Sequence, residues 1–201
     1  MEIIELYGNR ISFIEDNAFG ELRGLESLFL SSNKLKMIEI DTFKNLKALL
    51  NLYLKSNEIK FIEDFAVKDM ENLERFHMEK NELGLIEPYS FSKLKKLRYL
   101  YLSSNKLKAI HSEVFVSLVL LDTLDLASNQ ITFIDKKEFR NMKSINNLNL
   151  KYNQLEYLNP EIFKDCVNLK NLCLYGNSDN FQLNFNGLDN LNDGLVWNSL
   201  C

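Results

Sequence analysis

In this 201-residue sequence, few side chains are suited to nucleophilic, acid-base or transition-metal chemistry near neutral pH. They are His77, His111, Cys166, Cys173 and Cys201. A thiol-imidazole pair needs its partners within ~3 Å, with a carboxylate such as Asp125 to orient the ring. A metal site needs ligands at short spacing, and no pair of these cysteines or histidines supplies it. The glycines form neither a Walker nor a dinucleotide-binding pattern, so no phosphate cradle is encoded. Carboxylates are plentiful, and Glu15-Asp16 recurs in phase as Glu63-Asp64. Which of these groups meet depends on the elements that carry them.

Those elements repeat. The stretch "LFLSSNKLKMI", Leu28 to Ile38, returns as "LYLSSNKLKAI", Leu100 to Ile110, 72 positions later with two changes. Seventy-two is three times 24, and steps of 24 keep almost every apolar position in register. With Leu25 as position 1, the unit "LESLFLSSNKLKMIEIDTFKNLKA" is apolar at positions 1, 4, 6, 11, 14, 19 and 22. Position 9 is Asn9, Asn33, Asn57, Asn81, Asn105, Asn129, Asn153 and Asn177 without a gap. Position 14 runs Ile14, Ile38, Ile62, Ile86, Ile110, Ile134, Leu158, and position 19 runs Phe19, Phe43, Val67, Phe91, Phe115, Phe139, Phe163.

Alternation at positions 4 and 6 predicts a short strand, and the later apolar positions require the chain to turn back over those side chains. One unit cannot close a core. Units stacked at ~4.8 Å form one long parallel sheet with a continuous apolar filling. The asparagine follows the strand, where the backbone turns inward and strands its polar groups. An inward amide side chain both donates and accepts, so a structural ladder is expected there. The phenylalanine column reads as core on the same grounds.

The pattern L-x-x-L-x-L-x-x-N-x-L-x-x-I, with phenylalanine near position 19, resembles the leucine-rich repeat family in its 24-residue typical class. The resemblance covers about eight units over residues 1–177. It implies an α/β solenoid shaped as a horseshoe, with a curved parallel sheet on the concave face and loops, 3-10 turns or short helices on the convex side. It also implies a noncatalytic recognition surface, mostly extracellular, as in Toll-type receptor ectodomains and small leucine-rich proteoglycans. Roles in immune sensing, adhesion or signalling follow from that resemblance, and an intracellular scaffold is the alternative.

The chain departs from the extracellular members in its ends. Met1, Ile4 and Leu6 already occupy core columns with no cysteine cap before them, which predicts a fragment of a longer secreted protein or a chain with a bare edge. Residues 1–20 have no basic n-region and no continuous apolar run, so neither a secretion signal nor an anchor is written there. After Asn177 the pattern stops. Residues 178–201 alternate at Phe181, Leu183 and Phe185 and add Leu188, Leu191, Leu195 and Trp197, as expected of an atypical C-terminal capping tail. Cys201 has three fates: a free thiol, a bridge to Cys173, or a link to another chain. No Asn-x-Ser/Thr triplet occurs.

On the concave face, positions 3, 5, 7 and 8 point away from the core, and a partner is expected there. Phe29, Tyr53, Arg75, His77, Tyr99 and Tyr101 form a stripe across units two to five, with Asp125 in the next row. Interface hot spots are enriched in such residues, and cross-strand packing alone also favours them. Arg75, Glu79 and Lys80 lie beside His77, a setting that could tune a pH response, whereas a lone exposed histidine is more often just solvated. At ~4.8 Å per rung, Cys173 stands ~19 Å and Asp125 ~10 Å from His77, so no catalytic pair forms. No cofactor, no metal and no enzyme activity are expected. The formal net charge is -4, the pI is near 5.4, and no Lys/Arg block reaches five residues. A protein or glycan ligand is therefore expected, with no nucleic acid, no membrane span, and a possible dimer through the N-terminal edge or Cys201.

Overall fold

The computed structural model describes residues 2–111 and 113–182. Eight strands, one per unit, form a single parallel sheet. They are β1 (Glu2–Glu5), β2 (Leu25–Phe29), β4 (Asn51–Tyr53), β6 (Arg75–His77), β7 (Tyr99–Tyr101), β9 (Thr123–Asp125), β11 (Asn147–Asn149) and β12 (Asn171–Cys173), paired in that order. Adjacent strands match position for position: Tyr53 lies beside His77, His77 beside Tyr101, and Tyr101 beside Asp125. The 24-residue period is thus a spatial period, in which each residue's neighbour in the sheet is its own counterpart one unit away, except at Glu2, where the register slips and it pairs with Leu25.

Two shorter ladders run where each unit turns back: β3 (Met37–Ile38) with β5 (Phe61–Ile62), and β8 (Ala109–Ile110) with β10 (Phe133–Ile134). The rest of that side is turns, with one 3-10 helix at Pro160–Phe163 capped by the Asn159 side chain. The solenoid carries almost no helix among the described residues because each return stroke is spent on turns that drop a phenylalanine, or Val67 in the third unit, into the core.

Between the two sides the predicted columns are buried. Leu30, Leu54, Met78, Leu102, Leu126 and Leu150 are fully inside, and so are Phe43, Phe91, Phe115 and Phe163. The first rung is less covered: Ile4 and Leu6 are only partly buried against the core. Among the described residues no helix is long and apolar enough to cross a membrane.

The asparagine ladder closes as its chemistry demands. Asn105 Nδ2 donates to the carbonyls of Leu102 and Met78, each at 3.0 Å, while its Oδ1 accepts from the Leu83 amide at 3.0 Å. Asn33, Asn57, Asn81, Asn129 and Asn153 are buried in the same arrangement. Each stitches three backbone groups that water does not reach. The expectation of eight buried members needs correction at the ends. Asn177 makes the same bonds half-buried, and Asn9 is exposed and reaches only the carbonyls of Leu6 and Tyr7, because β1 is the edge strand of the sheet.

Position 8, just before each asparagine, adopts a left-handed backbone. Ser32, Ser56, Ser104 and Ser128 have φ between 55 and 58°, and Gly8 and Gly176 have φ of 70 and 73°. That bend lets the amides of Ser32 and Ser56 reach the next rung, at Lys55 O and Glu79 O.

One buried group escaped the sequence reading. Position 18 holds Thr42, Ala66, Ser90 and Val114, but also Glu138, which is fully buried. Its Oε1 accepts from the Phe115 amide, the Val114 and Glu113 amides also face it, and its Oε2 has no hydrogen-bond partner. Burial outweighs those amides and, with a smaller push from Asp135, raises its carboxyl to about 8.

Candidate partner-binding face

The in-register sheet stacks position 5 into a ladder of rings. Phe29 and Tyr53 lie 4.4 Å apart between centroids and 5° from parallel, Tyr53 and His77 4.6 Å, and His77 and Tyr101 4.4 Å. Flat rings on neighbouring parallel strands sit one strand spacing apart, close to van der Waals thickness, so they stack face to face. The ladder ends against carboxylates, since Glu5 pairs with Phe29 and Asp125 with Tyr101. Each inner ring therefore spends both faces on its neighbours and offers a partner its edge and polar tip.

His77 is held in this stack by chemistry as well as packing. Its Nδ1 lies 3.1 Å from Glu79 Oε1, and Glu79 Oε2 is buried without a hydrogen-bond partner. Strand alternation puts residues two apart on one face, which permits this pairing, and the fold selects it. The orienting carboxylate is Glu79 and not Asp125, whose Oδ1 accepts instead from the Ala127 amide at 3.1 Å. Burial raises the Tyr101 hydroxyl above the usual phenol range, with the Glu79 charge adding to it.

Position 3 forms a second, polar column beside the rings. Asn51 donates to Ser27 Oγ at 3.0 Å, Arg75 Nη1 donates to Asn51 Oδ1 at 3.3 Å, and the Arg75 guanidinium lies 5.0 Å from the Tyr99 ring centre. Asn147 continues the column to Thr123 and Asn171 to Asn147. Ser27, placed among outward residues by its position, is buried, because Asn51 lies over it. The remaining stripe residues are brought together as the spacing predicts.

The other reactive groups are scattered. Cys173 is disulfide-bonded, and Cys201 lies outside the described residues. Cys166 is a buried free thiol, pushed up to about 12 by burial, and His111 is exposed on the turn side. No group of three His, Cys, Asp or Glu able to hold a metal occurs among the described residues.

A family model described as Leucine rich repeat matches residues 1–59, 23–83, 49–107, 71–131 and 119–178, which together cover most of the chain. The chain belongs to the leucine-rich repeat family. This leucine-rich repeat chain is also similar in fold to TLR13, solved in complex with ssRNA13, with a TM-score of 0.65 and 24% identity. The match covers 86% of this chain and 28% of that one, so the chain spans under a third of that protein's length. No curated protein sequence matches significantly.

Proposed function

We propose that this leucine-rich repeat module is a noncatalytic recognition module that binds a protein partner on its concave face. The observation that carries the reading is the half-buried stack from Phe29 to Tyr101 with Arg75 seated on Tyr99 beside it. Rigid aromatics and an oriented guanidinium lose little entropy on binding and are the side chains that dominate protein interfaces. Sugars and nucleobases stack on open ring faces, and here the inner faces are already taken, which favours a protein over a glycan or single-stranded RNA. The disulfide at Cys173 supports an oxidising compartment, and so an extracellular or receptor-ectodomain setting over an intracellular scaffold. Residues 178–201 serve, on the same reading, as a C-terminal cap, most of which lies outside the described residues.

The test compares wild type with Tyr53→Ala and Tyr101→Ala as bait for extracellular proteins, beside fluorescence anisotropy with labelled oligouridine, chosen as a single-stranded RNA because TLR13 was solved with one. A protein captured by wild type and lost by both variants, with circular dichroism unchanged, supports the reading. Capture that neither variant alters moves the site off this face. Tight oligouridine binding abolished by both variants replaces protein with RNA.

A further inference from the structure

The return strokes carry an apolar column that the core does not use. Position 13 is Phe13, Met37, Phe61, Leu85, Phe133 and Tyr157, with Ala109 the small member, and those six large side chains are between 39% and 61% exposed. Their neighbours at position 14 point inward and are buried, so the strands β3 and β5 bury one face and leave the other apolar and open. Single exposed apolar residues are ordinary, but Met37 and Phe61 are paired side by side in β3 and β5, and a paired apolar face left open is the mark of an interaction surface.

A second observation marks the same place. Phe65 is 41% exposed and holds φ of 62°, a left-handed backbone that is costly for a bulky residue; Asn17 occupies the equivalent position two units earlier in the same conformation, at φ 60°. Ile40, also 41% exposed, and Phe65 lie in the turns that follow β3 and β5 and add exposed apolar side chains to units two and three.

The column's edges carry opposite charge. Position 12 is Lys36, Lys60 and, further on, Lys108, whereas position 15 is Glu15, Glu39, Glu63 and Glu87. Three residues of extended chain separate the two positions, so lysines line one side of the apolar column and glutamates the other, ~10 Å away. Such a strip is complementary to itself. A two-fold axis along the column lays Met37 on Met37 and Phe61 on Phe61 of the other copy, and brings each lysine row onto the other copy's glutamate row. A two-fold across the column at Phe61 would instead set Lys60 against Lys60 and Glu63 against Glu63. We propose that this strip, centred on Met37 and Phe61, binds a second copy of the chain in an isologous dimer with its axis along the column.

Sedimentation velocity over a range of concentrations tests this. Wild type is expected to dimerise, and Phe61→Asp, an exposed change that leaves the circular dichroism intact, to weaken association by about tenfold or more. Lys36→Glu and Glu39→Lys are each expected to weaken it by a few fold. Mixing those two variants, or combining them in one chain, restores it, because the reversed charges meet again. A wild type that stays monomeric overturns the proposal. A dimer untouched by Phe61→Asp assigns the contact to the edge of β1 or to Cys201 and also overturns it. A mixture of wild type with Lys36→Glu that associates more tightly than either alone, while the two reversed variants do not rescue each other, rejects the axis.

Discussion

Two ladders of rings run along this solenoid at one period, and their spacings differ. On the sheet side, centroids from Phe29 to Tyr101 are 4.4 to 4.6 Å apart. In the phenylalanine column behind the core, Phe19 and Phe43 are 6.2 Å apart, Phe91 and Phe115 6.4 Å, and Phe139 and Phe163 6.0 Å. Hydrogen bonds between strands fix the first spacing, whereas the bulk of the return strokes sets the second. Successive units therefore splay away from the sheet, and the sheet becomes the concave face. The comparison separates two settings of aromatic residues: the wide ladder is buried and supports the fold, and the tight one is half-open.

The largest effect belongs to the inner ladder. Phe115→Ala should cost ~3 to 5 kcal/mol, because it removes a fully buried ring and leaves a cavity between neighbours that cannot close over it. Urea denaturation monitored by circular dichroism measures it; a loss no greater than that of a concave-face substitution would erase the distinction between the ladders.

Next in size is the carboxyl beside that ladder. Glu138 has its folded value raised from 4.5 to about 8, so the fold prefers its neutral form. Its contribution to stability is complete below about pH 4.5, declines as pH rises, and is gone above about pH 8, a loss of up to roughly 5 kcal/mol. Glu138→Gln should flatten that decline and leave the protein more stable than wild type at pH 8.5, by thermal melting across the range. An unchanged pH profile would show the carboxyl ionised in place.

Asn105→Ala should cost ~1 to 3 kcal/mol by stranding three backbone groups, and Asn9→Ala well under 1 kcal/mol because Asn9 is exposed. Equal costs for the two would mean that burial does not govern the ladder. The smallest effect on stability is expected at the outer rings. Tyr53→Ala should cost ~0.5 to 1.5 kcal/mol in lost stacking while abolishing partner capture, so melting and capture should dissociate for this residue and fall together for Phe115→Ala.

Much of this was legible because the repeat turns sequence distance into contact. Once Tyr53 and His77 are known to be 24 apart on parallel strands, their adjacency needs no further information. The asparagine column was legible for the same reason, apart from its exposed first member. Glu138 was not, because position 18 carries small residues in most other units and reads as a turn, where a carboxylate is expected to be solvated. The exposed column at position 13 was hidden by its neighbour: apolar residues beside the isoleucine of position 14 read as more core, and only their exposure in the folded chain separates the two.

By itself the sequence determined the period, the parallel stacking of units and the identity of the core and asparagine columns, since each follows from hydrophobic spacing and the need to pair buried backbone groups. The tertiary structure alone decided orientation: that the concave rings stack face to face, that Glu79 and not Asp125 holds His77, that Glu138 turns inward, and that position 13 turns out. Spacing along a chain fixes which residues are neighbours, but the side of the backbone each one takes is settled only by the volume and hydrogen-bonding groups already filling the space around it.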